Sequence, residues 1–338
     1  MHAVILRSHP RGVPRAEDFS VVDADTPAAG ANQVLLRTIW LSLDPMIRLA
    51  LDENVMTGPN RVGIGDVIYG AAVSQVTASN HPDFTGGDYV EGRTGWREYA
   101  AIDPKVTPLR KVDASIAPLS TALGVLGMPG QTAHACMIGV GRVAAGETVA
   151  ISAAAGAVGS LCGQIGKILG ARVVGIAGGA AKCAKLIELG FDAAVDYKSP
   201  DYAQRLKDAC PNGIDCYIEN VGGAVSEVVF PLLKYRARMP VCGFISYYGL
   251  GREGPGPDRL PGFMRTIMAK GLEVRGFGGT MVAGAAGLKD LAEWVKAGTL
   301  RYPETVVEGL AAAPAAFATT FVSGNDHVGK LLVRVGKE

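Results

Sequence analysis

The chain has 338 residues, which favours two domains because a single hydrophobic core stops growing at about 250–300 residues. Its 33 basic and 32 acidic side chains leave a formal charge of +1, without the basic excess or basic run of a nucleic-acid-binding protein. No apolar run approaches the ~18–20 residues of a membrane span, and the apolar stretch near the start is too short for a signal peptide. We therefore expect a globular protein that binds neither nucleic acid nor a membrane.

The six cysteines are scattered, with no C-x-x-C pair and no nearby histidine at metal-ligand spacing. Such usage is typical of a reduced compartment and predicts a cytoplasmic protein, not a disulfide scaffold. Glycine occurs 45 times, nearly twice the usual ~7%. Because no G-x-y period accompanies it, this excess predicts many tight turns and close backbone approaches.

The first part of the chain, to about residue 125, has short β-type runs such as HAVILR and QVLLRTIWLSL, separated by Gly, Pro and Asp. Their close spacing predicts a barrel-like all-β module. From about Gly130, strands alternate with helices. The strand TVAIS precedes a helix whose apolar residues Leu161, Ile165, Ile168 and Leu169 recur at helical spacing. This alternation predicts a parallel sheet covered on both faces, and the β-like tail GKLLVRV is expected to return to the first module.

Later segments give further local predictions. SEVVFPLL predicts a helix over 226–233, ARMPVCGFIS a strand over 237–246, and the apolar spacing of 288–295 a closing helix. The stretch 249–262, GLGREGPGPDRLPG, has eight Gly or Pro residues in fourteen, which argues against a helix or a central strand. It predicts a mobile lid or a substrate-specificity loop, with a plain linker as the alternative.

The stretch ISAAAGAVGS, residues 151–160, places small residues between an apolar strand and a helix. The fingerprint G-x-G-x-x-G is present there with Ala154 at its first position, in the strand–turn–helix context that dinucleotide binding requires. Gly156 would let the backbone approach a pyrophosphate, and Gly159 would let the helix pack on the strand. We predict dinucleotide binding by the five consecutive residues Ala155, Gly156, Ala157, Val158 and Gly159.

Several motifs occur in one order: LSLDP, GMPGQTA, GETVAISAAAGAVGS, IENVGG, CGFIS, VVEGLAAAPAAF and GKLLVRV. Together they resemble the medium-chain dehydrogenase/reductase superfamily, in its zinc-independent leukotriene B4 dehydrogenase, prostaglandin reductase and curcumin reductase branch. The resemblance covers most of the chain, from about Trp40 to the end. It implies an α/β fold with two domains, a GroES-like β-barrel over 1–125 completed by 303–338 and a Rossmann doubly wound parallel sheet over 126–302.

The resemblance also implies that NADPH lies in the cleft and passes a hydride to the β-carbon of an α,β-unsaturated ketone or aldehyde. The second strand of the Rossmann unit, RVVGIA, runs into Gly178-Gly179-Ala180-Ala181-Lys182 without the acid that usually holds the ribose 2′-hydroxyl of NAD. A 2′-phosphate would be accepted there. Lys182 matches the family's phosphate-binding lysine and Tyr197 its tyrosine partner.

Other cofactor contacts are expected where later strands end. Asn220 is expected to bond the amide or ribose, with an Asx turn as the alternative. The nicotinamide half is expected to meet Cys242, Gly243, Ile245, Ser246, Phe277 and Gly278. Near the C-terminus the family has an asparagine three residues before the lysine of GK, contacting the nicotinamide end. SGNDHVGK is one residue longer, so this role falls on Asn325 or His327, or His327 is a plain exposed turn residue.

Substrate contacts are expected from Tyr248, which matches the family's substrate-side tyrosine, and from the adjacent Tyr247. A phenol suits the negative charge that develops on the carbonyl oxygen, although water or the cofactor ribose remains an alternative proton source. Arg48 matches an arginine of the family's N-terminal motif. Met46 replaces the usual tyrosine, which predicts a more apolar and adaptable pocket. His134, where a tyrosine is common, is interpreted as a helix residue whose hydrogen bonds are satisfied.

The first 135 residues contain no cysteine, so the ligand set of the zinc alcohol dehydrogenases is missing and we expect no metal. Two alternatives to an enone reductase remain, an NADPH-dependent quinone reductase and a catalytically silent NADPH-binding protein. The resemblance favours a homodimer acting on a small apolar enone or enal.

Overall fold

The computed structural model describes residues 1–53, 61–250, 258–322 and 325–338. The strands are β1 His2–Leu6, β2 Phe19–Asp23, β3 Val34–Ser42, β4 Ala72–Ser79, β5 Tyr89–Gly92, β6 Tyr99–Ile102, β7 Arg110–Lys111, β8 Thr148–Ile151, β9 Arg172–Ala177, β10 Ala193–Asp196, β11 Ile214–Ile218, β12 Leu233–Val241, β13 Glu273–Gly276, β14 Glu304–Glu308 and β15 Lys330–Arg334. The α-helices are α1 Ile47–Ala50, α2 Met128–His134, α3 Ala157–Ile168, α4 Ala180–Glu188, α5 Tyr202–Ala209, α6 Gly223–Val229, α7 Leu260–Lys270, α8 Gly279–Lys296 and α9 Ala313–Thr319.

The first sheet contains strands from both ends of the chain. Its order is β14-β15-β3-β4-β5-β7, with β6 also paired to β3. The C-terminal strand β15 runs antiparallel to β3, with Leu332 opposite Ser42. Beneath it lies an aromatic core in which the rings of Trp96 and Phe317 are 5.5 Å apart. The tail therefore returns to the N-terminal module because its apolar face completes that core.

The second sheet has six parallel strands in the order β10-β9-β8-β11-β12-β13. Chain order reverses between β8 and β11, which makes the carboxyl ends of these two strands a topological switch point. Ligands of doubly wound sheets bind at such points. The predicted α/β fold, a β-barrel module joined to a doubly wound parallel sheet, is confirmed. The domain boundaries at 125/126 and 302/303 stay a prediction.

The structure corrects three local predictions. Helix α7 begins at Leu260, inside the segment 249–262 predicted to be non-helical, because a proline is tolerated in the first helical turn, where its missing N–H had no partner to lose. Strand β12 ends at Val241, not at residue 246. The helix predicted over 226–233 already ends in a 3-10 turn at Leu232. The remainder of the predicted lid, 251–257, lies outside the described residues.

Within the described ranges, no helix combines the length and the apolar character needed to cross a bilayer.

Candidate active site

The turn between β8 and α3 has the geometry of an anion cradle. Gly156 is the N-cap of the twelve-residue helix α3. A Cβ on Gly159 would lie 2.5 Å from the carbonyl oxygen of Ala153, so only glycine allows this approach of helix and turn. The amides of Ala157 and Val158 begin the helix at its positive dipole end. The five residues predicted to bind a pyrophosphate therefore lie together at the switch point.

Two lysines lie near the turn that follows β9. A Cβ on Gly178 would lie 2.8 Å from the ring of Tyr197 and 3.0 Å from Cε of Lys198, so both side chains pack against this glycine. The amide of Gly179 donates to Asp196 Oδ1 at 2.9 Å. Lys182 follows in the first turn of α4, and burial and the charge of Lys198 lower its pKa, with Asp326 opposing. The turn therefore has two cationic side chains near it.

The C-terminal segment meets this turn. Lys182 Nζ donates to Asn325 Oδ1 at 2.7 Å, and Asn325 Nδ2 donates to the carbonyls of Thr319 and Val322. His327 Nε2 lies 2.7 Å from Thr319 Oγ1, and burial and Lys182 lower the pKa of this half-buried imidazole. The segment therefore stands at the lysine end of the cleft. The expectation that Asn325 or His327 contacts the nicotinamide end stays a prediction, and the contact of Asn325 with Lys182 is one that sequence spacing does not reveal.

Asn220, after β11, is tied to the turn after β8. Its backbone N–H donates to Ser152 Oγ at 2.8 Å. Its side-chain Nδ2 donates to the carbonyl of Ser152, also at 2.8 Å. Its Oδ1 accepts from the thiol of Cys242 at 2.9 Å. The side chain thus links three neighbouring strand ends at the edge where a cofactor would lie.

Beneath Asn220 lies a buried carboxylate. Glu219 is 0% exposed, and its Oε1 accepts from Ser152 Oγ, Tyr217 hydroxyl and the amides of Val221 and Gly222 at 2.8–3.2 Å. Its Oε2 accepts from Ser226 Oγ. Hydrogen bonds to five groups offset the desolvation of the charge. Glu219 therefore holds the loop that carries Asn220 in place.

The segment after β12 folds back on that loop. The amides of Cys242 and Gly243 donate to the carbonyl of Glu219 at 3.0 and 3.1 Å, and those of Ile245 and Ser246 donate to the carbonyls of residues 220 and 221, both at 3.1 Å. A Cβ on Gly243 would lie 3.0 Å from the oxygen of Asn220. These four predicted cofactor residues lie at the carboxyl ends of the strands. Because their N–H groups donate to backbone carbonyls, only their carbonyl and side-chain atoms could bind a ligand.

Tyr247 and Tyr248 follow in a 3-10 turn over Ile245–Tyr247, so the strand predicted over 237–246 does not lead directly into them. Tyr248 hydroxyl accepts from the amide of Phe244 at 3.2 Å. Burial raises the pKa of Tyr248. The ring of Tyr247 stacks on Phe244, with centroids 4.5 Å apart, and both lie against Gly222.

Phe277 and Gly278 follow β13. Phe277 packs against the core of the parallel sheet, and Gly278 is the N-cap of α8. Helix α8 begins at residue 279, ahead of the predicted 288–295, and has a non-helical kink at Gly284. At its far side His134 of α2 contacts Asp290, with Nε2 2.9 Å from the carboxylate oxygen. His134 is therefore a helix residue, as predicted, but the prediction that its hydrogen bonds are satisfied holds only for Nε2, because the buried Nδ1 has no hydrogen-bond partner among the described residues.

Arg48 is buried in the barrel module, with 1% of its surface exposed. Its Nε donates to the carbonyl of Gly12 at 3.0 Å, its Nη2 to that of Pro10 at 2.9 Å, and its Nη1 lies 3.7 Å from Asp52. These contacts hold the loop 10–12 in place. Met46, in contrast, is 38% exposed. A cavity of about 530 Å³ lies between this loop and residues 249–250.

Two residues of this site, Lys198 and Glu219, were not predicted from the sequence. Lys198 directly follows Tyr197, so its position in DYK was a signal that it shares the tyrosine's location. Glu219 precedes Asn220 in IENVGG, where a carboxylate within an apolar strand end was the signal. In the part of the chain that the structure describes, no group of three or more His, Cys, Asp or Glu residues has the geometry to hold a metal ion.

Comparison with known proteins supports the architecture. Family models described as the N-terminal domain of oxidoreductase and as zinc-binding dehydrogenase match residues 2–110 and 157–297. The NADPH-dependent curcumin reductase of Escherichia coli (strain K12) is 42% identical over 338 residues, covering 98% of this chain and 96% of that protein. Prostaglandin reductase 1 of Oryctolagus cuniculus is 37% identical, covering 92% and 87%.

Among solved structures, that of CurA from Vibrio vulnificus in complex with NADPH superposes with a TM-score of 0.93 at 39% identity, covering 100% of both chains. The same fold occurs in Escherichia coli quinone oxidoreductase, with a TM-score of 0.77 at 18% identity and coverage of 99% and 100%. The chain therefore belongs to the medium-chain dehydrogenase/reductase superfamily, in the zinc-independent branch that contains the curcumin and prostaglandin reductases, and is an oxidoreductase.

Proposed function

We propose that the protein reduces the carbon–carbon double bond of α,β-unsaturated ketones and aldehydes with NADPH, without a metal. The observation that carries this proposal is the position of Tyr248, whose hydroxyl accepts from the amide of Phe244. Phe244 follows β12 of the same sheet whose turn between β8 and α3, residues 152–156, is the phosphate turn. NADPH, when bound, supplies a hydride to the β-carbon. The protein's own residues have to orient the two molecules and stabilise the charge that develops on the carbonyl oxygen.

The residues of the cleft fit NADPH. The first turn of α3 offers backbone amides to a pyrophosphate, and Gly156 and Gly159 keep side chains away from it. Beyond β9, Gly178 and Gly179 stand where an NAD-binding unit usually has an acid, and Lys182 follows. A cation without a competing acid at this position favours the 2′-phosphate. The relatives named for NADPH dependence support the same choice.

Tyr248 has the properties of a hydrogen-bond donor to the substrate. Its oxygen accepts from the amide of Phe244, and among the described residues no acceptor takes its own O–H proton. Burial raises its pKa, so the phenol stays protonated at neutral pH. A donor of this kind, held in place before the reaction, stabilises charge as it forms on a carbonyl oxygen.

The surroundings of Tyr248 favour an apolar substrate. The stacked rings of Phe244 and Tyr247 form a flat apolar surface beside it, and Phe244 is 40% exposed. An enone with an apolar body can pack there while its carbonyl oxygen meets the phenol.

One assay tests the proposal and distinguishes it from the two alternative functions. NADPH oxidation is measured with trans-2-enones, trans-2-enals, 1,4-quinones or no substrate, and the products are identified by mass spectrometry. We expect saturated ketones and aldehydes, gaining two hydrogen atoms each. Turnover of quinones alone would replace the proposal with a quinone reductase. Tight NADPH binding without turnover of any acceptor would indicate a catalytically silent binding protein.

We further propose a cytoplasmic homodimer. Strand β13 is the edge of the parallel sheet and all four of its residues are exposed, so its outer backbone groups are open to a second copy. Nearby apolar side chains are unusually exposed: Met264 at 54%, Met268 at 78% and Met281 at 87%. Sedimentation equilibrium is expected to give twice the mass of the chain, and Val274→Pro to give a monomer. A monomeric wild-type protein would exclude the dimer. The cytoplasmic location rests on the six cysteines, which are free in the structure.

A further inference from the structure

Lys198 has a fixed position beside the turn that follows β9. Its backbone N–H donates to Asp196 Oδ1 at 3.0 Å, and the same oxygen accepts from the amide of Gly179 at 2.9 Å. One carboxylate oxygen thus ties the loop after β10 to the turn after β9. Because Gly178 has no side chain, the aliphatic stem of Lys198 lies over this turn, with Cε 3.0 Å from where a Cβ would be.

Lys198 lies near enough to Lys182 for its charge to lower the pKa of Lys182. In the described ranges, no carboxylate oxygen lies within 4 Å of either ammonium, and the only side-chain hydrogen bond of Lys182 goes to the neutral amide of Asn325. The nearby negative charges are Asp196 and the exposed Asp326. One carboxylate oxygen of Asp196 accepts hydrogen bonds from two backbone amides. Two positive charges beside one glycine turn repel each other, and a bound dianion would interact favourably with both of them.

We propose that Lys198 is a second ligand of the 2′-phosphate of NADPH, which it and Lys182 bind together beside the Gly178–Gly179 turn. This inference rests on the proposed use of NADPH and adds a second residue that contributes to the selectivity for its 2′-phosphate. Lys182 is half-buried and hydrogen-bonded to Asn325, whereas Lys198 is exposed. The two lysines thus differ in their surroundings, and only Lys182 has a neutral side-chain partner.

The test is calorimetric binding of two probes that differ only by the 2′-phosphate, 2′,5′-ADP and 5′-AMP. Lys198→Met keeps the aliphatic stem over Gly178 and removes the charge. We expect it to weaken 2′,5′-ADP and NADPH binding about tenfold, the equivalent of about 1.4 kcal/mol, and to change 5′-AMP and NADH binding less than twofold. Lys198→Arg, which keeps the charge, is expected to retain most of the affinity.

Lys185→Met is the matched control, because Lys185 lies on the same helix as Lys182 but pairs with Glu188 at 2.6 Å. It is expected to bind both probes as the wild type does. Wild-type affinity for 2′,5′-ADP in Lys198→Met, or an equal loss for 5′-AMP, would overturn the inference while leaving NADPH use intact. If the wild-type protein does not distinguish 2′,5′-ADP from 5′-AMP, the proposed cofactor itself is wrong.

Discussion

Asn325 Oδ1 accepts a hydrogen bond of 2.7 Å from Lys182 Nζ, joining residues 143 positions apart in the chain. The asparagine comes from the segment that precedes β15, and the lysine from the first turn of α4. A second contact nearby, from the amide of Gly329 to the carbonyl of Ala155 at 2.8 Å, brings the same segment against the phosphate turn. The segment that completes the barrel therefore also forms one wall of the proposed cofactor cleft.

The Asn325–Lys182 contact predicts that a negative charge at residue 325 weakens the binding of NADPH. Asn325→Asp would place a carboxylate at hydrogen-bonding distance from Lys182, where it would neutralise the lysine and repel a phosphate. We expect the dissociation constant for NADPH, measured by fluorescence titration, to rise about tenfold or more, with little change for NADH. Asn325→Ala serves as the control, since it removes the bond without adding charge. Equal affinities in Asn325→Asp and the wild type would place the phosphate elsewhere.

Lys182 itself is expected to set the choice of cofactor. We expect at least a tenfold preference for NADPH over NADH in kcat/KM, which corresponds to about 1.4 kcal/mol, a modest demand on one phosphate–lysine contact. Lys182→Ala should reduce this preference by raising the KM for NADPH. Similar constants for both cofactors in the wild type, unchanged in the variant, would contradict the assignment.

Tyr248→Phe is expected to lower kcat while NADPH affinity stays nearly constant, because only the transition state carries the charge that the phenol stabilises. Removing such a donor costs ~10²–10³ in rate at a site without water. The cleft beside Gly249 is open, so we expect the low end of this range or less. Steady-state kinetics with one enone and saturating NADPH provides the measurement.

Tyr247→Phe is the matched control for this experiment. Its ring stacks on Phe244, and this contact survives loss of the hydroxyl. Wild-type rates in both variants would assign the proton to water or to the ribose hydroxyl of the cofactor. The protein would then contribute chiefly the alignment of hydride and alkene.

Glu219→Gln is expected to destabilise the protein. The carboxylate accepts hydrogen bonds from five groups, and an amide nitrogen in place of one oxygen would face donors. A buried polar group left without a partner costs about 1–3 kcal/mol, which urea denaturation would show as a lower midpoint. Glu227→Gln is the control, because its partner Arg259 is exposed. An unchanged midpoint would mean that the network tolerates the amide.

Activity is expected to survive exhaustive chelation. The N-terminal 135 residues lack cysteine, and the described residues hold no cluster with metal-ligand geometry. Dialysis against EDTA followed by the enone assay and elemental analysis tests this expectation. Loss of activity that zinc restores would contradict it.

Local patterns determined much of this protein. The alternation of strands and helices, and the small residues around Gly156, have causes within a few residues, since periodicity decides which face is buried and glycine decides how close a helix packs. The fold class and the phosphate turn therefore followed from the sequence. The absence of an acid after β9 is also read from neighbouring residues, and the predicted preference for a 2′-phosphate rests on it.

Tertiary contacts decided the rest, because they join residues whose separation in the chain has no pattern. Asn325 lies at the lysine end of the cleft because it bonds the carbonyls of Thr319 and Val322, and the residues after Val241 form a turn because the loop of Glu219 and Asn220 accepts their amides. Whether a charged side chain faces solvent or is buried, like Arg48 and Glu219, depends on partners from other elements that only the folded chain brings within hydrogen-bonding distance.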